Sequence, residues 1–232
     1  MRASPDTSSP IRTLDILELI ANEGPAAHTL ISARLGIPKS TATSLLKSLV
    51  NGGYVLRGED RKFMLAPRVL RLSEGFLAQR QWLLPLLPLL DRLRNETRET
   101  AFLLERRGDQ RVIIARRMVD EGLSFTIPVG DMAPLSGTAG GHALLRPGET
   151  VIGSDGSPEG IERTAEGVHF APSAIVVGVS SFAVALRVPA DIPPLAFSLA
   201  MPDIRLTSAV RTHIETALAG VRDSAEAILG TA

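Results

Sequence analysis

The chain has 232 residues, of which 44% are hydrophobic and 22% charged, and its formal net charge at pH 7 is zero. It contains no cysteine, which excludes disulfides, thiolate catalysis and cysteine-ligated metal sites. No apolar stretch approaches the roughly 20 residues that a membrane-spanning helix needs, so we expect a cytoplasmic protein without a membrane segment.

The neutral total conceals a difference between the two parts of the chain. Residues 1–80 hold 11 Lys and Arg against 7 Asp and Glu, whereas residues 81–232 hold 14 against 18. All three lysines, Lys39, Lys47 and Lys62, lie in the first part. This asymmetry favours an anion-binding N-terminal module joined to a different domain.

Helical spacing of apolar residues predicts three helices after a flexible arm at residues 1–9. The predicted inward residues are Leu14, Ile16, Leu17 and Ile20 in the first helix, Leu30, Ile31 and Leu35 in the second, and Ala42, Leu45, Leu46 and Leu49 in the third. Two short strands around the charged turn at 57–62 then indicate a hairpin. This order is that of a winged helix-turn-helix, over residues 10–66.

The third helix carries five hydroxyl residues, although Ser and Thr are mediocre helix formers. Short hydroxyl side chains can contact both phosphates and base edges in the major groove, so we predict that this helix reads DNA. The face opposite its apolar stripe carries Ser40, Ser44, Lys47 and Asn51, with Thr41, Thr43 and Ser48 beside it. The alternative is a solvated face in a protein-interaction winged helix.

The sequence after residue 66 predicts an amphipathic linker helix at 67–81 and a second domain at 82–232. We expect helices near 88–97, 139–145, 161–167 and 203–229, the last with Ile204 and Ile228 at the ends of its apolar stripe. We expect strands near 100–106, 111–118, 124–129, 174–188 and 194–201. A sheet with helices packed on it makes the fold class α+β, with a sensor-like second domain.

Several stretches together resemble the IclR-type bacterial transcriptional regulators. They include Leu35-Gly-Ile-Pro-Lys-Ser-Thr, Leu45-Leu-x-x-Leu, Gly53-Tyr-Val and Val129-Gly-Asp-Met-Ala-Pro-Leu. The resemblance covers nearly the whole chain but is poor over residues 146–178. It implies a homodimer joined through the DNA-binding domains and linker helices, often paired into tetramers, on a partly palindromic operator, with a C-terminal GAF-like effector domain.

The resemblance also implies which residues contact the two ligands. On DNA they are Arg12, Arg34, Lys39, Ser40, Thr41, Thr43, Ser44 and Lys47, and we add Arg61 and Lys62 of the hairpin turn for the flanking backbone or minor groove. In the effector pocket we expect Phe125, Ile127, Thr138, Ala139, Gly140, His169, Val179, Ser181, Phe197 and Ser198, with Phe182 on the same apolar wall.

The pocket departs from the family pattern at its polar positions. The family places the effector against a glycine-rich turn, here Thr138 to Gly140, whose N–H groups can bind a carboxylate. Its acidic pocket residue aligns with Ala171 and its common cysteine with Ser181. We therefore expect a largely apolar cavity that suits an aromatic or hydrophobic effector. The alternative is that these residues are ordinary core and bind nothing.

Nothing in the chain indicates catalysis, a metal or a cofactor. The four histidines, His28, His142, His169 and His213, are scattered, and Gly137-Thr-Ala-Gly-Gly lacks the residues of a nucleotide-binding loop. We expect a regulator rather than an enzyme. The alternative is a metabolite-binding protein or enzyme that keeps the winged helix only for oligomerisation.

Overall fold

The computed structural model describes residues 8–119, 127–150, 160–172 and 176–231. The chain divides into two compact units, Met1–Arg80 and Gln81–Ala232. Each unit has a hydrophobic cluster of its own.

The first unit is a winged helix-turn-helix, as predicted. Its helices are α1 (Ser9–Glu23), α2 (His28–Leu35) and α3 (Lys39–Asn51), followed by strands β1 (Val55–Arg57) and β2 (Phe63–Leu65) and by helix α4 (Leu70–Ala78). Strands β1 and β2 pair antiparallel, and we call their connecting turn, residues 58–62, the wing. Ala26 bridges to Phe63, so the segment before α2 joins the hairpin.

The core of this unit confirms the predicted stripe of α3, because Ala42, Leu45, Leu46 and Leu49 are all buried. The prediction was wrong for Leu14 and Leu30, whose exposed fractions are 54% and 40%. In α1 the buried stripe consists of Ile16, Leu19 and Ile20 instead. A helix packed on one side buries a single stripe, and Leu14 lies beside that stripe.

The second unit is an α/β domain built on one seven-stranded sheet. Helix α5 (Leu87–Thr97) leads into it, and the short helix α6 (Ala139–Ala143) and the long helix α7 (Ser208–Leu229) pack on it. The strands are β3 (Thr100–Arg107), β4 (Gln110–Arg117), β5 (Met132–Pro134), β6 (Glu162–Arg163), β7 (Val168–Ala171), β8 (Val179–Leu186) and β9 (Leu195–Pro202). Their order is β5-β4-β3-β9-β8-β7-β6, and all neighbours are antiparallel.

The two faces of strand β9 differ in side-chain size. Residues alternate between faces along a strand, and β9 carries Leu195, Phe197, Leu199 and Met201 on one face and Ala196, Ser198 and Ala200 on the other. Ser198 pairs with Phe102 on β3 and with Ala183 on β8, which fixes their common face. Helix α6 packs on the face with small side chains.

The predicted elements of the second unit differ from the structure at several places. The helix expected at 161–167 is strand β6 followed by a turn, in which Gly167 has a φ of 81°. Of the strand expected at 124–129, residues 124–126 lie outside the described residues and 127–129 are not a strand, whereas β5 lies later in the chain. The predicted closing helix is confirmed as α7, but it begins at Ser208 and not at residue 203. Ile204 is therefore outside it and 89% exposed, and Ile228 is 48% exposed. Strand β7 was not predicted.

We expect Leu46→Ala to lower the free energy of unfolding by about 2–5 kcal/mol, because it empties space in the packed core of the first unit. Urea unfolding followed by far-UV circular dichroism measures this change. Ser44→Ala on the same helix is the matched control, and as an exposed substitution it should change stability by no more than about 0.5 kcal/mol. Similar losses for both variants would contradict the buried position of Leu46.

Candidate functional sites

The outward face of α3 is polar and accessible. Lys39, Ser40, Ser44, Lys47 and Asn51 are all exposed, whereas Thr41 is half-buried. Four of them recur at intervals of three or four residues, so they lie along one side of the helix. Because α3 is the second helix of the helix-turn-helix, this side is the one that such a motif places in the major groove.

Two of the five hydroxyl side chains of α3 form hydrogen bonds within the protein. Thr43 Oγ1 donates a hydrogen bond to the Lys39 carbonyl at 2.9 Å, and Ser48 Oγ donates to the Ser44 carbonyl at 3.1 Å. His28 Nε2 lies 3.0 Å from Thr43 Oγ1, a contact between α2 and α3 that no local sequence pattern indicates. The Thr43 and Ser48 hydroxyls are therefore engaged with the protein itself.

The other predicted DNA contacts lie on α1, on α2 and in the wing. Arg12 is half-buried on α1. Arg34 Nε lies 3.5 Å from Glu23 Oε2, and Lys62 Nζ lies 3.5 Å from Asp60 Oδ2. Arg61 is in the wing with a left-handed φ of 63°, which is uncommon for arginine. Exposed ion pairs such as those of Arg34 and Lys62 are weak, so these two side chains can exchange a carboxylate partner for a phosphate.

The second candidate site is a cavity between α6 and the face of the sheet that carries Ser198 and Ala200. We call it the α6 cavity. It encloses about 560 Å³ of space between atoms, its opening to solvent included. Its lining residues are Phe102, Leu104, Arg111, Ile113, Ile127, Gly137, Thr138, Gly140, Val176, Val179, Ser181, Ser198 and Ala200.

The glycine-rich turn brings the start of α6 close to neighbouring atoms. A Cβ atom on Gly140 would lie 2.3 Å from Leu104 Cδ1, and one on Gly141 would lie 1.9 Å from the Leu135 carbonyl oxygen. Thr138 Oγ1 accepts a hydrogen bond from the Gly141 N–H at 3.0 Å and so caps the helix. These glycines let α6 form one wall of the cavity.

The structure brings six of the predicted effector residues together at the cavity: Ile127, Thr138, Gly140, Val179, Ser181 and Ser198. Ala139 is buried behind this wall, and its N–H donates to Ser181 Oγ at 3.3 Å. Phe197 and Phe182 are not at the cavity, because they alternate with Ser198 and Ser181 and point to the other face of the sheet. Phe125 lies outside the described residues.

Sequence reasoning missed Arg111, which lines the cavity and is only 4% exposed. It is two residues before Ile113 on β4 and shares its face. The period-2 pattern of the predicted strand could have placed Arg111 beside Ile113, but the identity of the inward face depends on packing.

His169 lies outside the cavity lining, on β7, with its ring centroid 6.5 Å from that of His142. Its pKa is lowered from the ordinary 6.5 to about 4, first by burial and then by the charges of Arg163 and His142. The folded protein therefore keeps this imidazole neutral in mildly acidic solution.

No three His, Cys, Asp or Glu side chains within the described ranges are grouped as metal ligands. None of the helices placed by the structure is both long enough and apolar enough to cross a membrane.

Comparison with known proteins agrees with this architecture. The IclR helix-turn-helix domain matches residues 9–58. The chain is 32% identical over 116 residues to the Pca regulon regulatory protein of Pseudomonas putida, covering 50% of this chain and 40% of that protein. It is 27% identical over 147 residues to the transcriptional repressor IclR of Escherichia coli K12, covering 62% of this chain and 54% of that protein. The chain thus spans about half the length of these curated relatives.

Among solved structures, an IclR homologue from Microbacterium hydrocarbonoxydans in complex with 4-hydroxybenzoate has a TM-score of 0.63 and 20% identity, covering 95% of this chain and all of that one. At this identity the likeness concerns the fold. The relatives matched are transcriptional regulators and not enzymes. These matches confirm the predicted resemblance to IclR-type regulators.

We expect the folded second unit to lose stability as the pH falls from about 6.5 towards 4. In that range the unfolded chain takes up a proton on His169 and the folded chain does not. Because the ring is only partly buried and solvent screens it, the loss should be about 1 kcal/mol between pH 7 and pH 5.

Urea unfolding at the two pH values, followed by the fluorescence of Trp82 in the same unit, measures this loss. His169→Gln should show a smaller decrease than the unaltered protein, and His213→Gln, which removes an exposed histidine, serves as control. An identical decrease in His169→Gln and the unaltered protein would rule out this role of His169.

Proposed function

We propose that this IclR-type chain is a transcriptional regulator that binds operator DNA through α3 and whose DNA binding is modulated by a small molecule in the α6 cavity. The observation that carries the proposal is the exposed Ser40, Ser44 and Lys47 side of α3, opposite a fully buried apolar stripe. It lies in the domain that matches the IclR helix-turn-helix.

Within this proposal the residues of α3 take different roles. Ser40 and Ser44 are exposed on the first two turns, where a recognition helix meets base edges. Lys39 and Lys47 supply charge to phosphates. Thr43 is the weaker candidate for base contact, because its hydroxyl already donates to the Lys39 carbonyl and lies against His28. We keep Arg12, Arg34, Thr41, Arg61 and Lys62 as supporting contacts.

The cavity favours an effector that is aromatic or largely apolar. Six of its thirteen lining residues are large and apolar: Phe102, Leu104, Ile113, Ile127, Val176 and Val179. Ligand sites of this kind combine apolar walls with a few placed polar groups. The solved homologue that holds 4-hydroxybenzoate supports an aromatic compound as the first class to test.

We also propose that the chain forms a homodimer and that two such dimers can pair into a tetramer. Helix α4 supports the dimer, because Leu70 and Leu72 are 59% and 62% exposed on it. Such side chains on a linker helix suit contact with a second copy of the chain.

The alternative, a metabolite-binding protein without specific DNA affinity, makes a different prediction for one experiment. A gel shift with the intergenic DNA upstream of the protein's own gene, at stated salt, should give a specific complex under the main proposal. Non-specific binding alone, competed equally by unrelated DNA, would favour the alternative.

We expect Lys47→Ala to weaken operator binding on all sequences and to reduce the slope of log affinity against log salt by about 1, because it removes one phosphate contact. Fluorescence anisotropy with labelled operator from 50 to 200 mM salt measures the slope. Lys47→Arg retains the charge and should retain the slope. An unchanged slope in Lys47→Ala would remove this residue from the interface.

We expect Ala200→Leu to weaken effector binding at least tenfold while operator binding stays intact, because the larger side chain enters the cavity from β9. Calorimetric titration with the tightest-binding aromatic acid of a panel measures the loss. Overpacking costs about 1–3 kcal/mol, so the variant's melting temperature is recorded as well. If the folded variant bound the effector as tightly as the unaltered protein, the effector site would not be the α6 cavity.

A further inference from the structure

Arg111 is a buried cation of the α6 cavity that forms no hydrogen bond through its Nε and no ion pair within the part of the chain that the structure describes. On β4 it lies opposite Arg106 of β3 and Ala133 of β5. The residue is 4% exposed, and its Nε is buried without a hydrogen-bond acceptor. Over the described ranges, no carboxylate forms an ion pair with its guanidinium group.

The charges around Arg111 do not neutralise it. Arg106, its neighbour across the strand pair, is itself paired with Glu149, with Nη2 and Oε1 3.1 Å apart, and this pairing holds the pKa of Glu149 at about 2. Burial lowers the pKa of Arg111, and the charge of Asp131 only partly opposes that effect. A guanidinium group nevertheless stays protonated in proteins, so among the described residues the cavity holds a positive charge that Asp131 offsets only in part.

Two other strongly buried charged residues of the same unit, unlike Arg111, are paired with a side chain of opposite charge. Glu226 is 1% exposed and accepts hydrogen bonds from both the backbone and the side chain of Arg187. Glu99 is 3% exposed and accepts one from Arg205 Nε at 2.8 Å. An unpaired buried charge is strongly unfavourable, and Arg111 departs from the pattern that these two carboxylates follow.

The remaining polar groups of the cavity offer Arg111 no counter-charge. Ser181 Oγ accepts from the Ala139 N–H, and Ser198 Oγ donates to the Phe182 carbonyl at 2.9 Å. Phe102 and Leu104 on β3 and Ile113 on β4 are apolar lining residues of the same cavity. A complementary ligand therefore has one anionic group and an apolar body.

We propose that Arg111 is an anion-binding residue of the α6 cavity, which pairs with a carboxylate of an effector whose remainder is apolar. The planar guanidinium fork can donate two parallel hydrogen bonds to a carboxylate. This contact on β4 is separate from the glycine-rich turn, where the Ala139 N–H already has an acceptor. The inference rests on the proposed function only in taking the cavity as the effector site.

The test compares aromatic acids with their neutral amides on the full chain. Benzoate, 4-hydroxybenzoate and phenylacetate are titrated by calorimetry beside the corresponding primary amides. We expect at least one acid to bind, at least tenfold more tightly than its amide. Arg111→Met should weaken that acid at least tenfold and leave the amide unchanged, whereas Arg146→Met, which removes an exposed arginine of the same unit, should change neither.

Thermal melting without ligand separates a binding role from a structural one. Arg111→Met removes an unpaired buried charge and should melt at the same or a higher temperature. A clearly lower melting temperature would make Arg111 a structural residue and overturn the proposal. So would equal affinities for acids and amides, or no binding of any acid by a chain that still shifts its operator DNA. Absence of a specific operator complex would instead count against the proposed function.

Discussion

The second unit depends on the separation of large and small side chains between the two faces of β9. Large residues such as Phe197 and Leu199 fill one face completely, and both are fully buried. Ala196, Ser198 and Ala200 on the other face, with Ala183 from β8, leave space beneath α6. Since backbone pairing fixes the strand spacing at about 5 Å, the small side chains of β9 and β8 leave room for a cavity on a face where Phe102 and Leu104 of β3 form part of the lining.

Helix α6 completes the cavity because its glycines allow a close approach. Gly140 and Gly141 sit where a Cβ atom would collide with Leu104 and Leu135. Backbone contact at this wall keeps the turn and the sheet together without filling the space between them. The same turn uses its own side chain for its cap, as Thr138 accepts from Gly141. A rigid wall and an open interior thus come from one short stretch of sequence.

In the first unit, the proposed DNA binding requires an exposed polar face on a helix that is held firmly in the core. Four apolar residues of α3 hold it in the core, and the opposite side is left polar. Thr43 and Ser48 turn their hydroxyl groups back to the helix backbone, while Ser40, Ser44 and Lys47 stay on the surface. Part of the unusual Ser and Thr content thus satisfies local hydrogen bonds, and part of it is available to a partner.

The sequence by itself determined the winged helix-turn-helix, the buried stripe of α3 and most of the sheet, because helical and strand periodicity are local properties. It also indicated six residues of the cavity. Only the tertiary structure decided that Phe197 and Ser198 serve opposite faces, that residues 161–167 contain a strand, and that Arg111 points into the cavity. Those features depend on strand register and on contacts between residues distant in the chain, and local periodicity carries no information about either.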